Sequence, residues 1–139
     1  MTVYENNVSG TPLPRKLGVK EGRRVAWLAA PPHFEDLLGD LPPGVAVSRR
    51  LSKELDLLVQ FATSRAELRR RLPLLRDAVF PAGAAWVSWP KRSSGVPTDI
   101  TEDTIREDAL PLGLVDVKVC AVDETWSGLK LVVRKELRS

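Results

Sequence analysis

Apolar positions in this chain fall into short blocks separated by polar, proline-rich or glycine-rich segments. Three blocks are continuous rather than alternating. Residues 25–30 read VAWLAA, residues 57–61 read LLVQF with only Gln60 interrupting, and residues 84–89 read AAWVSW. Runs of this length are too short for buried helices and suit strands covered on both faces. The stretch from Asp56 to Lys91 carries two of them around a helical pattern, RAELRRRLPLLRDAVFPAG. It predicts a strand, a helix and a second parallel strand, joined by a right-handed crossover. Ser64 and Glu67 stand three apart, as in a capping box, so the helix is expected to start at Arg65. Ala66, Leu72, Leu75 and Val79 fall on or near one helical face, and most of the arginines fall elsewhere. Pro73 lies inside the pattern and predicts a kink or break near residues 69–72. Trp86 and Trp89 have odd spacing, which puts them on opposite faces of one central strand.

The rest of the chain extends this unit. Residues 1–10 are polar and mixed and read as disordered or loosely docked. Residues 11–14 are expected to be extended, with one short turn over residues 15–19. Residues 1–22 thus form an N-terminal extended arm, and residues 23–139 form a single domain. A first strand over residues 23–30 ends at Pro31-Pro32. A short helix over residues 33–41 and a short second strand over residues 45–47 follow. Asp99 and Glu102 suggest a capping box for a helix over residues 100–110. Residues 115–122 and 129–134 alternate and predict a closing antiparallel hairpin, with Trp126 in its connecting loop. The expected fold class is α/β: three layers around a mostly parallel sheet of about six strands that ends in an antiparallel hairpin; the Rossmann-like form and the strand order 2-1-3-4-6-5 are what the resemblance described below implies.

Composition changes the picture mainly by exclusion. The chain has 139 residues, 43% apolar and 28% charged, ordinary for a globular domain. One cysteine and one histidine exclude an intramolecular disulfide, a cysteine-based zinc cluster and a site built on several histidines. Cys120 lies in a strand pattern and reads as a buried, inert thiol. No apolar run approaches membrane-spanning length and no signal pattern opens the chain, so a cytoplasmic location is the simplest expectation. The formal charge of +3 is uneven: residues before 99 carry 15 Lys and Arg against 9 Asp and Glu, and the remainder 6 against 9. These basic residues read as solvated helix faces and loop charges, because few aromatics are interleaved with them.

The element order resembles the Rossmann-like fold of S-adenosylmethionine-dependent methyltransferases. Residues 56–59, the end of the long helix before Trp86-Val87, and Gly113-Leu114-Val115 entering the hairpin carry the resemblance. The whole chain is also similar to an uncharacterised family of small bacterial proteins, through TPL-x-x-KLG-x-K at residues 11–20, W-x-x-WPK at 86–91 and DETWSGLK at 123–130. The methyltransferase resemblance implies a glycine-rich turn after the first strand and an acid at the end of the second. This chain has Ala29-Ala30-Pro31-Pro32 and Ser48-Arg49-Arg50 there instead. Neither S-adenosylmethionine nor a dinucleotide is therefore expected as cofactor, and methyl transfer is not expected.

Ligands of open α/β sheets bind outside the carboxyl ends of the strands, where strand order reverses. His33, Ser64, Lys91 and Trp126 are expected at that rim, with Asp123 and Glu124 beside them. Ser64 already has a structural task as an N-cap, nothing in the sequence orients His33, and Trp126 needs a surface to pack on. The expected function is a non-catalytic module binding a small anionic ligand or a protein partner. The alternatives are a small cytoplasmic transferase using His33 or Lys91 as acid or base, and a weak nucleic-acid binder.

Overall fold

The computed structural model describes residues 11–139, and the expected loose segment 1–10 lies outside the described residues. A six-stranded sheet forms the middle layer: β1 (Arg24–Leu28), β2 (Ala46–Ser48), β3 (Leu57–Phe61), β4 (Ala84–Pro90), β5 (Leu114–Ala121) and β6 (Trp126–Val133), in the order β2-β1-β3-β4-β6-β5. The first four strands are mutually parallel, and β6 runs antiparallel to both β4 and β5. This is the α/β fold class that the pattern predicts and the strand order that the resemblance implies. Among the described residues, four α-helices complete the layers: α1 (Leu13–Leu17), α2 (Phe34–Leu38), α3 (Arg65–Val79) and α4 (Glu102–Ala109).

The sheet separates two cores. One joins Leu58, Val87, Trp89 and Leu131 to Leu72 of α3 and Ile105 of α4. The other joins Val59, Phe61 and Trp86 to Leu17 of α1 and to Phe34 and Leu38 of α2. Trp86 and Trp89 therefore lie on opposite faces, and every residue of β3 and β4 is buried. The polar break in β3 is satisfied. Gln60 donates to the Phe61 carbonyl at 2.9 Å and accepts from Arg71 Nε at 3.0 Å.

Five local expectations differ from the structure. Residues 13–17, read as part of an extended arm and a turn, form α1, because Leu13 and Leu17 bury against the sheet and the Trp86 indole donates to the Leu17 carbonyl at 2.8 Å. Helix α3 continues through Pro73 without a break. Burial of Leu72 and Leu75 on either side holds it to the sheet despite the lost amide. Asp99 does not cap α4. Its carboxylate accepts from the Arg65 amide at 2.8 Å, and α4 starts instead on a reciprocal box between Thr101 and Thr104. Trp126 belongs to β6, opposite Pro90, and not to the loop. The α3 arginines are also more than a solvated face. Arg65 binds Asp108 and Glu107, and Arg76 donates to the Leu112 carbonyl at 2.7 Å.

Gly83 marks a close chain crossing at the entry to β4. A side chain there would start 2.5 Å from the Leu55 carbonyl oxygen and 2.9 Å from that of Val79. Only glycine lets the helix exit pass so near the strand.

Candidate functional site at the carboxyl edge of the sheet

Asp123 gathers three of the four predicted rim residues. Its carboxylate lies 2.8 Å from His33 Nε2 and accepts from the Thr125 and Trp126 amides at 2.8 and 2.7 Å. Its backbone carbonyl accepts from Lys91 Nζ at 2.7 Å. The Lys91 amide donates to Thr125 at 2.7 Å, so Lys91 ties β4 to the hairpin turn at two points. Burial pushes the Asp123 carboxyl up, but the His33 contact and the Trp126 and Thr125 amides outweigh it, and the group titrates below the ordinary carboxylate range. Asp123 thus orients His33, a partner that the sequence separation of the two had hidden. The imidazole stays accessible, with its side chain 51% exposed against 16% for Asp123.

Ser64 is placed apart from this group. Its hydroxyl accepts from the Glu67 amide at 3.2 Å, within the start of α3. Asp99 occupies the next donor, Thr98 clamps the Thr63 carbonyl at 2.7 Å, and the α3 N-terminus already faces a carboxylate of its own chain. Trp126 packs on the core edge, with its ring 5.1 Å from Phe61. Phe61 lies 4.9 Å from Phe34, and Phe34 lies 5.4 Å from Trp27, all edge-on. This chain of four rings runs beneath the rim from β1 to the hairpin. Phe34 carries little signal in the sequence. Its signal was its place just after Pro31-Pro32, where α2 turns it inward.

The crevice beside β1 and β2 lacks the chemistry that the methyltransferase resemblance implies. Ala29 follows β1 with φ +57°, the left-handed conformation that glycine adopts without cost. The turn's backbone shape persists, but a methyl group projects from it. Pro31 and Pro32 offer no amide donors. Arg49 follows β2 where an acid would bind ribose hydroxyls, and it pairs with Glu35 of α2 across the crevice. Trp27, Glu35 and Arg49 line two adjoining clefts, of about 350 and 310 Å³, on this edge. The residues present do not fit S-adenosylmethionine. Arg49, 69% exposed at its side chain, is the rim cation with the most access to solvent among those named here.

Among the described residues, no three His, Cys, Asp or Glu side chains gather closely enough to hold a metal ion, and no helix is long and apolar enough to cross a membrane. The Cys120 thiol is buried, and burial pushes its pKa up.

No protein-family model matches the chain, and no curated protein matches it. Solved structures do. An S-adenosylmethionine-dependent methyltransferase from Aquifex aeolicus superimposes with a TM-score of 0.61 at 15% identity, over 94% of this chain and 90% of that one. The PH0226 protein from Pyrococcus horikoshii gives 0.58 at 13% identity, over 96% and 92%. Aeropyrum pernix fibrillarin, solved with S-adenosyl-L-methionine bound, gives 0.53 at 14% identity, over 84% and 69%. At such identities the likeness shows architecture alone: the chain has the Rossmann-like α/β fold of S-adenosylmethionine-dependent methyltransferases.

Proposed function

We propose that this chain is a non-catalytic Rossmann-like module that binds a small anionic ligand at the carboxyl edge of its sheet. One observation carries the reading. The crevice where this fold takes its ligand presents Arg49 in place of an acid, beside a turn with a methyl group and two prolines in place of glycines. Arg49 supplies a planar donor fork suited to a phosphate or carboxylate. Arg49 is itself paired with Glu35, an exposed carboxylate with which an anion would compete, whereas Lys91 and the α3 N-terminus are engaged by the Asp123 carbonyl and by Asp99.

A ¹⁵N-labelled sample titrated with adenosine monophosphate tests this. Shifts at residues 48–50 and 29–33, lost in Arg49→Ala, are expected. Calorimetry with S-adenosylmethionine at micromolar concentration should give no specific heat. Stoichiometric low-micromolar binding of S-adenosylmethionine would overturn the reading and restore a methyltransferase. A protein partner remains the other occupant of the same edge, and loss of its binding in Trp126→Ala would favour it.

The His33–Asp123 pair supports a second reading, a small transferase with His33 as acid or base. The pair is the base-and-orienter half of a catalytic constellation. Turnover abolished by His33→Gln with native stability would favour it over the binding module.

A further inference from the structure

Four lysines lie on the α1 face of the sheet, beside the hairpin. Lys118 of β5 and Lys130 of β6 are direct cross-strand partners, and Lys130 is in turn the register partner of Trp86. Their side chains therefore share the α1 face of the sheet. Lys16 comes from α1, and its ammonium donates to the Ala121 carbonyl at 3.1 Å. Lys118 Nζ reaches the Lys16 carbonyl at 3.3 Å. Gly18, which ends α1, faces Lys130 Nζ at 3.7 Å from where a side chain would start, and Lys20 follows two residues on. None of the four lies within ion-pair distance of a carboxylate among the described residues.

Like charges placed directly opposite each other on paired strands destabilise a sheet. Lys20 adds to the charge felt by Lys130, and Lys16 and Lys118 both lie near Cys120 on the same face. Lys130 is half-buried; burial, then Lys118 and Lys20, draws its pKa below the ordinary lysine value. A bound anion would reverse each of these costs at once. Three sequence segments are folded together to make the cluster, since the Trp86 indole holds Leu17 and with it the end of α1.

We propose that Lys16, Lys20, Lys118 and Lys130 form a second anion site, for a compact polyphosphate. The chemistry is that of flexible point charges, each with several donors, around one concentrated negative group. Lys16 and Lys118 each give one hydrogen to a carbonyl and keep others for a ligand. A nucleic-acid strand fits less well. The charges form a cluster rather than a stripe, and the aromatic ring at the site, Trp86, is fully buried and closed to base stacking. The proposal stands apart from the rim reading, because the two sites share no residue.

Inorganic triphosphate is the probe. Titrated into the ¹⁵N-labelled full chain, it should shift amides at residues 16–20, 118 and 130 and bind more tightly than orthophosphate. Lys118→Gln, at an exposed position, and Lys130→Gln should each weaken it about tenfold, the loss of one charge-assisted contact, with native tryptophan emission. Residues 48–50 should stay unmoved by binding at this site, and their response to adenosine monophosphate reports on the rim alone. Shifts confined to the α3 arginines, unchanged affinity in Lys118→Gln, or binding of a single-stranded oligonucleotide without binding of triphosphate would each overturn the proposal.

Discussion

Replacing Trp86 by Phe tests how α1 is held to the sheet. Trp86 is fully buried in β4, and its indole N–H donates to the Leu17 carbonyl at 2.8 Å across 69 residues of sequence. Phenylalanine keeps an aromatic ring but deletes that donor. A buried carbonyl left without its partner costs about 1–3 kcal/mol. The smaller ring also leaves a void above Gly128, whose missing side chain lets the indole settle so closely that a methyl there would meet it at 3.0 Å. The void adds about 1 kcal/mol. The sum, roughly 2–4 kcal/mol, is a large share of the 5–15 kcal/mol typical of a domain. It corresponds to a melting-temperature fall of roughly 8–16 °C. Thermal and urea unfolding give the global value, and hydrogen exchange gives the local one. The Gly18 and Val19 amides, which bond to Pro14 within the α1 cap, should lose protection in Trp86→Phe first. Trp89→Phe is the control, because Trp89 lies in the opposite core and touches no part of α1. Unchanged unfolding together with unchanged protection at Gly18 and Val19 would refute this account of the contact.

Gly83→Ala should lower stability by about 1–3 kcal/mol or more, because the added methyl meets three backbone carbonyls that have no side-chain freedom to yield; wild-type urea unfolding would contradict the close crossing. Pro73→Ala should raise stability by about 1–2 kcal/mol, since the exposed proline interrupts an otherwise continuous helix and the substitution restores one amide, offset by a more flexible unfolded chain. A helix content or melting temperature that falls would sink that reasoning. The Asp123 carboxyl is depressed in the folded state, so its contribution is present above the unfolded carboxylate pKa of about 3.9 and is lost as pH falls through the folded value. Asp123→Asn should therefore flatten the acid limb of stability below about pH 4, and an acid limb identical to that of the wild type would show that the hairpin turn does not depend on this charge.

Periodicity by itself determined the βαβ unit, the two-sided burial of β3 and β4 and the opposed faces of Trp86 and Trp89, while the strand order followed from the resemblance to the methyltransferase fold. Burial of apolar surface dominates those choices, and an apolar run of strand length bounded by turn residues has few other solutions. The glycine-free turn and the arginine after β2 were also legible, because backbone approach and ribose binding require particular residue types. What the tertiary structure decided were the pairings of polar groups. Asp99 and Thr101 both precede α4 and both can cap, and it was the position of Arg65, 34 residues away, that drew Asp99 to the other helix. His33 and Asp123 lie 90 residues apart and carry no shared pattern, so only the return of the hairpin to the rim makes them partners. The four lysines likewise read as scattered surface charges until strand register sets Lys118 against Lys130 and α1 folds over them. Hydrophobic burial is non-directional and leaves its period in the sequence, whereas a hydrogen bond or an ion pair is a matter of a few tenths of an ångström between side chains whose meeting is fixed only when the layers close.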